Sequence, residues 1–253
     1  DDLRIGVDLG GTKIEAVVIP VGEGAPDVLA RKRIPTNRAL GYDHILGSVA
    51  DLIAGVRQEA AAPAGIPVGV GMPGSVTHRL KDGGRSPVPL VKGSNTVCLN
   101  DRPFFGDLMA RVGQTIAFSN DANCFALAET RFGAAKGARV AFGVIMGTGL
   151  GGGVVMAGAD GAPRVWDGVQ GIAGEWGHIT IDPENGPLCF CGRRGCLEQY
   201  LCGPAIEAAY AARSGEKRSL VEIVARTSDD AHARDTLQAT LKTFGRALSI
   251  LVN

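Results

Sequence analysis

Three observations predict an α/β fold in two lobes, the second echoing the first. Leu3 to Asp8 is a short apolar run that passes through Leu9-Gly10-Gly11-Thr12-Lys13 into a second apolar run, Ile14 to Ile19. Val140 to Met146 does the same through Gly147-Thr148-Gly149-Leu150-Gly151-Gly152-Gly153 into Val154 to Ala157. Between and after these pairs the period changes to that of helices. Two half-chains that open alike predict a duplicated βββαβα-type lobe, residues 1–118 and 119–253, with a cleft between the copies.

The elements follow in order. Strand, tight Gly-Gly turn and strand make residues 3–19 a β-hairpin; a dinucleotide fingerprint would lead into a helix instead. Val28 to Ile34 is a third strand. From His44 to Ala61, apolar residues at Ile45, Leu46, Val49, Leu52, Ile53 and Val56 draw one stripe on a helix. Ile66 to Gly71 is a fourth strand ending in the loop Met72 to Ser75. Residues 77–96, rich in Gly, Pro and charge, read as a surface excursion. Thr115 to Phe118 is a strand delivering Ser119-Asn120-Asp121-Ala122-Asn123 onto a helix that runs to about Phe132. Later helices start at Gly203-Pro204, span Ser219 to Arg226, and fill Asp230 to Val252.

Composition narrows the function classes. Lys+Arg and Asp+Glu are both 26, so no net field draws the chain to nucleic acid or an anionic membrane. No apolar run reaches the roughly 18 residues of a membrane span. With no secretion signal before the first strand and the thiols assigned to metal rather than disulfides, the cytoplasm is the expected compartment.

The segment Glu175 to Glu198 carries the densest chemistry. His178, Cys189, Cys191 and Cys196 have the spacing H-x10-C-x-C-x4-C. Four such ligands on one short, Gly- and Pro-rich segment match a closed tetrahedral zinc site, structural rather than catalytic. The bland alternative, small core thiols, suits an isolated cysteine better than three within eight residues. Cys98, Cys124 and Cys202 lack metal-type spacing and read as core thiols; His44, His78 and His232 occur singly. Glu175 and Glu198 are open to three readings: surface acids, a glycosidase pair, or hydroxyl acceptors that zinc holds in place beside the second ring nitrogen of His178. Trp176 reads as packing.

Asp121, at the end of a strand and the start of a helix, is either a helix cap or a base facing the cleft. Gly10-Gly11 alone is merely a good turn. Paired with Gly147-Thr148-Gly149 across a cleft, it reads as one of two turns holding a polyphosphate, with Thr12 as hydroxyl donor and Asp8 near a metal-bound phosphate. A polyol clamped by Glu175, His178, Glu198 and Asn120 is the natural occupant beside Asp121.

Six motifs, in order over nearly the whole chain, resemble the ROK family of bacterial sugar kinases and sugar-responsive repressors. They are Asp8-Leu-Gly-Gly-Thr-Lys13, Gly71-Met-Pro-Gly74, Asn120-Asp-Ala-Asn123, Gly147 to Gly153, Glu175-Trp-Gly-His178 and Cys189 to Glu198. The resemblance implies an actin-like, ribonuclease-H-like two-lobed fold that binds ATP and Mg²⁺, with structural Zn²⁺. It implies Asp121 as general base, and Gly74, Asn95, Asn120, Asp121, Glu175, His178 and Glu198 as sugar contacts. Asp8, Gly10, Gly11, Thr12, Lys13, Gly147, Thr148 and Gly149 would serve the nucleotide. Repressors of the family carry a winged helix-turn-helix ahead of the strand that begins here at Leu3, so an enzyme is expected, with a homodimer as the usual assembly. Lys92 to Phe104 looks most like the fructokinase and mannokinase branch, which implies fructose 6-phosphate as product. N-acetylglucosamine kinase, glucokinase and a non-catalytic sugar sensor are the alternatives. The family continues past the long helix with a further strand, glycine turn and helix, so the C-terminal part of the nucleotide site is expected to be missing from this stretch.

Overall fold

The computed structural model describes residues 2–22, 26–80, 82–169 and 171–252. Asp1 and Asn253, the outer bounds of the two expected lobes, lie outside them. The chain forms two compact units, Asp1–Gly143 with Gly153–Ala173, and Val144–Gly152 with Gly174–Asn253. They do not divide at 118/119: the helix after residue 120 and the short strand at Pro163–Val165 pack together inside the first unit.

In the first unit, β1 (Leu3–Leu9) and β2 (Lys13–Pro20) are the expected hairpin, Leu9 facing Ile14 across the turn. β3 (Ala30–Pro35) extends it and starts two residues later than the apolar run at Val28, because Val28 and Leu29 are exposed. Helix α1 (Tyr42–Glu59) crosses to β4 (Val68–Met72). The five-stranded sheet closes in the order β3-β2-β1-β4-β7, where β7 is Ile116–Asn120. The core is the one the periodicities foretell: Ile5, Val7 and Leu9 alternate on β1, and the whole α1 stripe is buried with them.

Three elements of this unit were not expected, the short strand at Pro163–Val165 among them. The stretch read as an excursion holds a hairpin, β5 (Ser75–Arg79) with β6 (Arg85–Lys92). Ser86, Leu90 and Val91 are buried along it, while Pro87 and Pro89 are tolerated because a two-stranded sheet is all edge. Helix α2 (Phe104–Val112) starts after Pro103 and ends at Gly113; its nine residues are too short for a clear period. It is anchored by Phe104, which is wholly buried and packs edge-on against both Tyr42 and Phe105. Helix α3 (Asp121–Phe132) leaves β7 directly.

Strands β8 (Val140–Met146), β9 (Leu150–Ala157) and β10 (Pro163–Val165) form a sheet in the order β10-β9-β8. The second unit carries the remaining helices: α4 (Glu198–Leu201), α5 (Gly203–Ser214), α6 (Leu220–Ala225) and α7 (Ala231–Val252). The Ser219 side chain accepts from Glu222 N–H while Glu222 reaches back to Ser219, a reciprocal cap that starts α6. Tyr210, Ile223 and Ala233 form a small core there, and Tyr210 donates to Asp230 at 2.7 Å.

Phe104→Ala should lower unfolding free energy by about 3–5 kcal/mol, measured by urea denaturation, because it empties a fully enclosed aromatic site. A loss below about 1 kcal/mol would show that α2 is not anchored through this ring.

Candidate active site

Strand register assembles the polar edge of the first unit. β1 runs parallel to β4, and β4 to β7, with Asp8 opposite Gly71, Gly71 opposite Ser119 and Met72 opposite Asn120. The carboxyl ends of three parallel strands therefore finish on one edge, where α/β sheets collect ligand chemistry. Asp8 is exposed on that edge, just before the turn Gly10–Lys13. The turn is locked from behind by Thr36, a buried residue with no sequence signal. Its Oγ1 donates to Gly10 O at 2.6 Å and its N–H to Thr12 O at 3.0 Å. Thr12 and Lys13 point outward. Asn95 sits beside Gly11, where a Cβ would stand 3.3 Å from its Oδ1. Asn100 fixes the loop that carries it, accepting from Ser94 N–H and donating to Ser94 O, both at 2.9 Å.

At the start of α3 the cap is Asn120, not Asp121. Asn120 Oδ1 accepts from Ala122 N–H at 2.9 Å, and its Nδ2 donates to Gly74 O at 2.9 Å. One side chain thus caps a helix and fastens the loop after β4, keeping one N–H and one lone pair for other partners. Relieved of capping, Asp121 follows half-buried, with Oδ1 accepting from Ala122 N–H. Burial raises its carboxyl above the ordinary range, and the Asp8 charge adds to this; the Ala122 N–H opposes it without winning.

A pocket of about 270 Å³ opens beside these groups, lined by Gly74, Asn120, Asn123 and Asp167 and by the apolar faces of Phe105 and Phe118. Asn123 is only 4% exposed, and its Nδ2 donates to Asp167 Oδ1 at 3.2 Å. Its Oδ1 is buried with no hydrogen-bond partner among the described residues, an acceptor awaiting a donor. Sequence reasoning quoted Asn123 within a motif but gave it no role. Asp167 carried no signal at all, since its partner lies 44 positions away.

In the second unit, the segment after β10 folds on itself through bridges Thr180–Cys196 and Leu188–Arg194 and a tight turn in which Gly192 N–H donates to Cys189 O at 2.9 Å. Gly192 takes φ 86°, a left-handed conformation in which glycine meets no Cβ penalty. The ligand atoms of His178, Cys189, Cys191 and Cys196 all come within 4.8 Å of one another. His178 Nδ1 is 3.6 Å from Cys189 Sγ, and Cys191 Sγ is 3.6 Å from Cys196 Sγ. Donors at about 2.0–2.3 Å from a tetrahedral ion are separated by about 3.5–3.8 Å, so the cluster fits zinc; a disulfide needs about 2.05 Å. Burial lowers the His178 pKa, with the Arg193 charge helping and the Glu198 charge opposing. A neutral imidazole of this kind ligates through Nδ1 and keeps Nε2 for another partner. Burial and its thiol neighbours push Cys196 up to about 12, a proton that a metal ion would displace.

Glu175 and Glu198 flank this centre, both half-buried. Glu198 Oε2 accepts from Leu150 N–H at 3.0 Å, at the end of the turn Gly147–Gly149, whose Thr148 is exposed. Trp176 is packing: it is 2% exposed and edge-on to Phe244. Of the cysteines read as core thiols, Cys202 is buried while Cys98 and Cys124 are partly exposed. Each unit thus gathers its own set: Asp8 to Lys13, Gly74, Asn95, Asn120 and Asp121 in the first, and Gly147 to Gly149, Glu175, Glu198 and the cluster of His178, Cys189, Cys191 and Cys196 in the second. Among the described residues no helix is long and apolar enough to cross a membrane.

A model of the ROK family matches residues 4–253. The chain is 33% identical over 228 residues to an N-acetyl-D-glucosamine kinase of Vibrio vulnificus, covering 87% of this chain and 69% of that one. Among solved structures, a ROK hexokinase from Thermus thermophilus is 30% identical with a TM-score of 0.78, over 99% of this chain and 77% of that one. A ROK family glucokinase from Streptomyces griseus in complex with glucose and AMPPNP is 28% identical with a TM-score of 0.75, over 98% and 78%. These likenesses bear out the two-lobed actin-like fold class.

Because folding raises the Asp121 pKa, the ionised carboxylate costs stability at neutral pH, and the cost disappears as pH falls below the unfolded value of about 3.9. Asp121→Asn should therefore melt higher than the parent at pH 7, with the gap closing towards pH 4, as a thermal melt at the two pH values would read. A variant that melts lower at pH 7 would show the carboxylate to be a stabilising cap.

Proposed function

The chain belongs to the ROK family and is an ATP-dependent sugar kinase, and from that premise we propose that its acceptor is a hexose of the glucose series, phosphorylated at the 6-hydroxyl with Asp121 as general base. The observation that carries this reading is the division of labour at the start of α3. Asn120 takes the cap, and burial leaves Asp121 with a raised, hence more basic, carboxylate at the edge shared by β1, β4 and β7. A base is most effective when its pKa approaches working pH.

In this mechanism the Asp121 carboxylate accepts the hydroxyl proton as the sugar oxygen attacks the γ-phosphorus in line, and the bond to the β-phosphate oxygen breaks to release ADP. The turns Gly10–Lys13 and Gly147–Gly149 approach the phosphates through their backbones, with Thr12 and Thr148 exposed at their tips. Asp8 would hold the Mg²⁺ that binds with ATP, an ion that would neutralise phosphate charge. Glu175, His178 Nε2 and Glu198 would accept or donate to sugar hydroxyls, while Asn95 beside Gly11 and Gly74, fastened by Asn120, border the acceptor. The buried Asn123 Oδ1 offers an acceptor to a hydroxyl or amide N–H in the adjoining pocket. His178, Cys189, Cys191 and Cys196 would hold structural Zn²⁺.

Support for the glucose series lies in the relatives, which are named for N-acetylglucosamine, hexose and glucose. Nothing in those names favours fructose, the acceptor implied by residues 92–104, so it enters the test as one arm. A coupled assay of ADP release by the full-length protein with N-acetylglucosamine, glucose, mannose and fructose decides the acceptor. Turnover should be fastest with one of the first two; a fructose-only response would move the assignment to fructose, and no ADP with any sugar would make the protein a sensor. Asp121→Asn should cut kcat about 10²–10⁴-fold while sugar still binds.

Elemental analysis should find one zinc per chain, and Cys196→Ser should lose it. A metal-free native protein with unchanged hexose affinity would rule out zinc as what holds Glu175 and Glu198 in place for the sugar.

A further inference from the structure

The turn Gly147–Leu150 is built against the metal-bearing segment. Leu150 N–H donates to Glu198 Oε2 at 3.0 Å, and a Cβ at position 149 would stand 2.7 Å from that same oxygen. Glycine at 149 is therefore what lets the carboxylate reach in. From the other side, Gly177, next to His178, lies so close beneath Leu150 that a Cβ there would meet Leu150 O at 2.1 Å. At the far end of the turn, Gly203 N–H donates to Gly147 O at 2.8 Å. One short turn is thus gripped at three points, by Glu198, Gly177 and Gly203. Glu198 Oε1 has no hydrogen-bond partner among the described residues.

We propose that Glu198 is a positioning residue that couples the two ligands: Oε2 fixes the glycine turn for the nucleotide while Oε1 meets a sugar hydroxyl. This rests on the assignment of Glu198 to the sugar and of the turn to the phosphates made above. A carboxylate engaged by sugar through one oxygen has less freedom to leave Leu150 with the other, so hexose orders the turn in advance. By linkage, nucleotide strengthens hexose binding by the same factor.

Gly149→Ala is the sharpest probe. Its backbone is not in the left-handed region, so the obstacle to a methyl is the Glu198 carboxylate. In calorimetry with zinc-loaded protein and no nucleotide, Gly149→Ala should weaken binding of the preferred hexose about tenfold, although residue 149 belongs to the nucleotide turn. It should weaken Mg·AMPPNP binding to a similar degree. In the Glu198→Ala background the same alanine should change AMPPNP affinity less than twofold, because nothing is left to displace. Hexose affinity within twofold of the parent in Gly149→Ala overturns the coupling. Additive losses of AMPPNP affinity in the double variant overturn it too, since the alanine would then act on phosphate directly. If the parent binds no hexose, the sugar-site assignment fails instead, and the AMPPNP cycle still decides whether Glu198 sets the turn. Should Gly149→Ala not fold, Glu198→Gln takes its place: it keeps an oxygen for Leu150 and should retain AMPPNP affinity within twofold while losing about tenfold in hexose. An AMPPNP loss equal to that of Glu198→Ala would refute the proposal.

Discussion

The parallel register of β1, β4 and β7 fixes where Asp8, Ser119 and Asn120 stand, because a slip of one residue would turn each side chain to the opposite face. With Val68, Val70 and Met72 buried on β4 and Ile5, Val7 and Leu9 on β1, that slip would expose the core, so the apolar alternation enforces the register. The polar edge is its by-product. Asp8, Gly71 and Ser119 line up since Val7, Val70 and Phe118 do. A hydrophobic constraint thereby positions a carboxylate without any polar contact having to specify it.

In the second unit, residues 180–195 are mostly exposed. A segment of that kind cannot hold a unique shape by burial, and a metal centre is the usual substitute, because ligand bonds supply folding free energy locally. The two glycine turns show the same contrast. Thr36, a buried hydroxyl from a neighbouring strand end, locks Gly10–Lys13 from within a well-packed sheet. The turn Gly147–Leu150 takes its anchors from Glu198 and Gly203, both distant in sequence.

What was legible in the sequence was whatever is local or periodic. The α1 stripe, the two strand–glycine–strand units and the H-x10-C-x-C-x4-C spacing all announce themselves within a few dozen residues, and the family motifs add, by resemblance, the company expected of Asp121's carboxylate. The β5–β6 hairpin was hidden by Pro87 and Pro89, and α2 by its brevity and by Gly106. The cap at α3 was read only as one of two roles for Asp121; it falls instead to Asn120, whose Oδ1 accepts from Ala122 N–H. Thr36 with Gly10, Asn123 with Asp167 and Glu198 with Leu150 are long-range pairs of ordinary residues, and one chain read alone has no term that would join them.

The strut made by Asn120 has a consequence for how this chain tolerates change. Asparagine and aspartate are nearly the same size and shape, so exchanging residues 120 and 121 would alter neither composition, volume nor formal charge. It would nevertheless remove the only N–H directed at the Gly74 carbonyl among the described hydrogen bonds, and set an amide where a carboxylate now stands. The information at this point of the chain therefore resides in the order of two letters that most substitution scales treat as interchangeable.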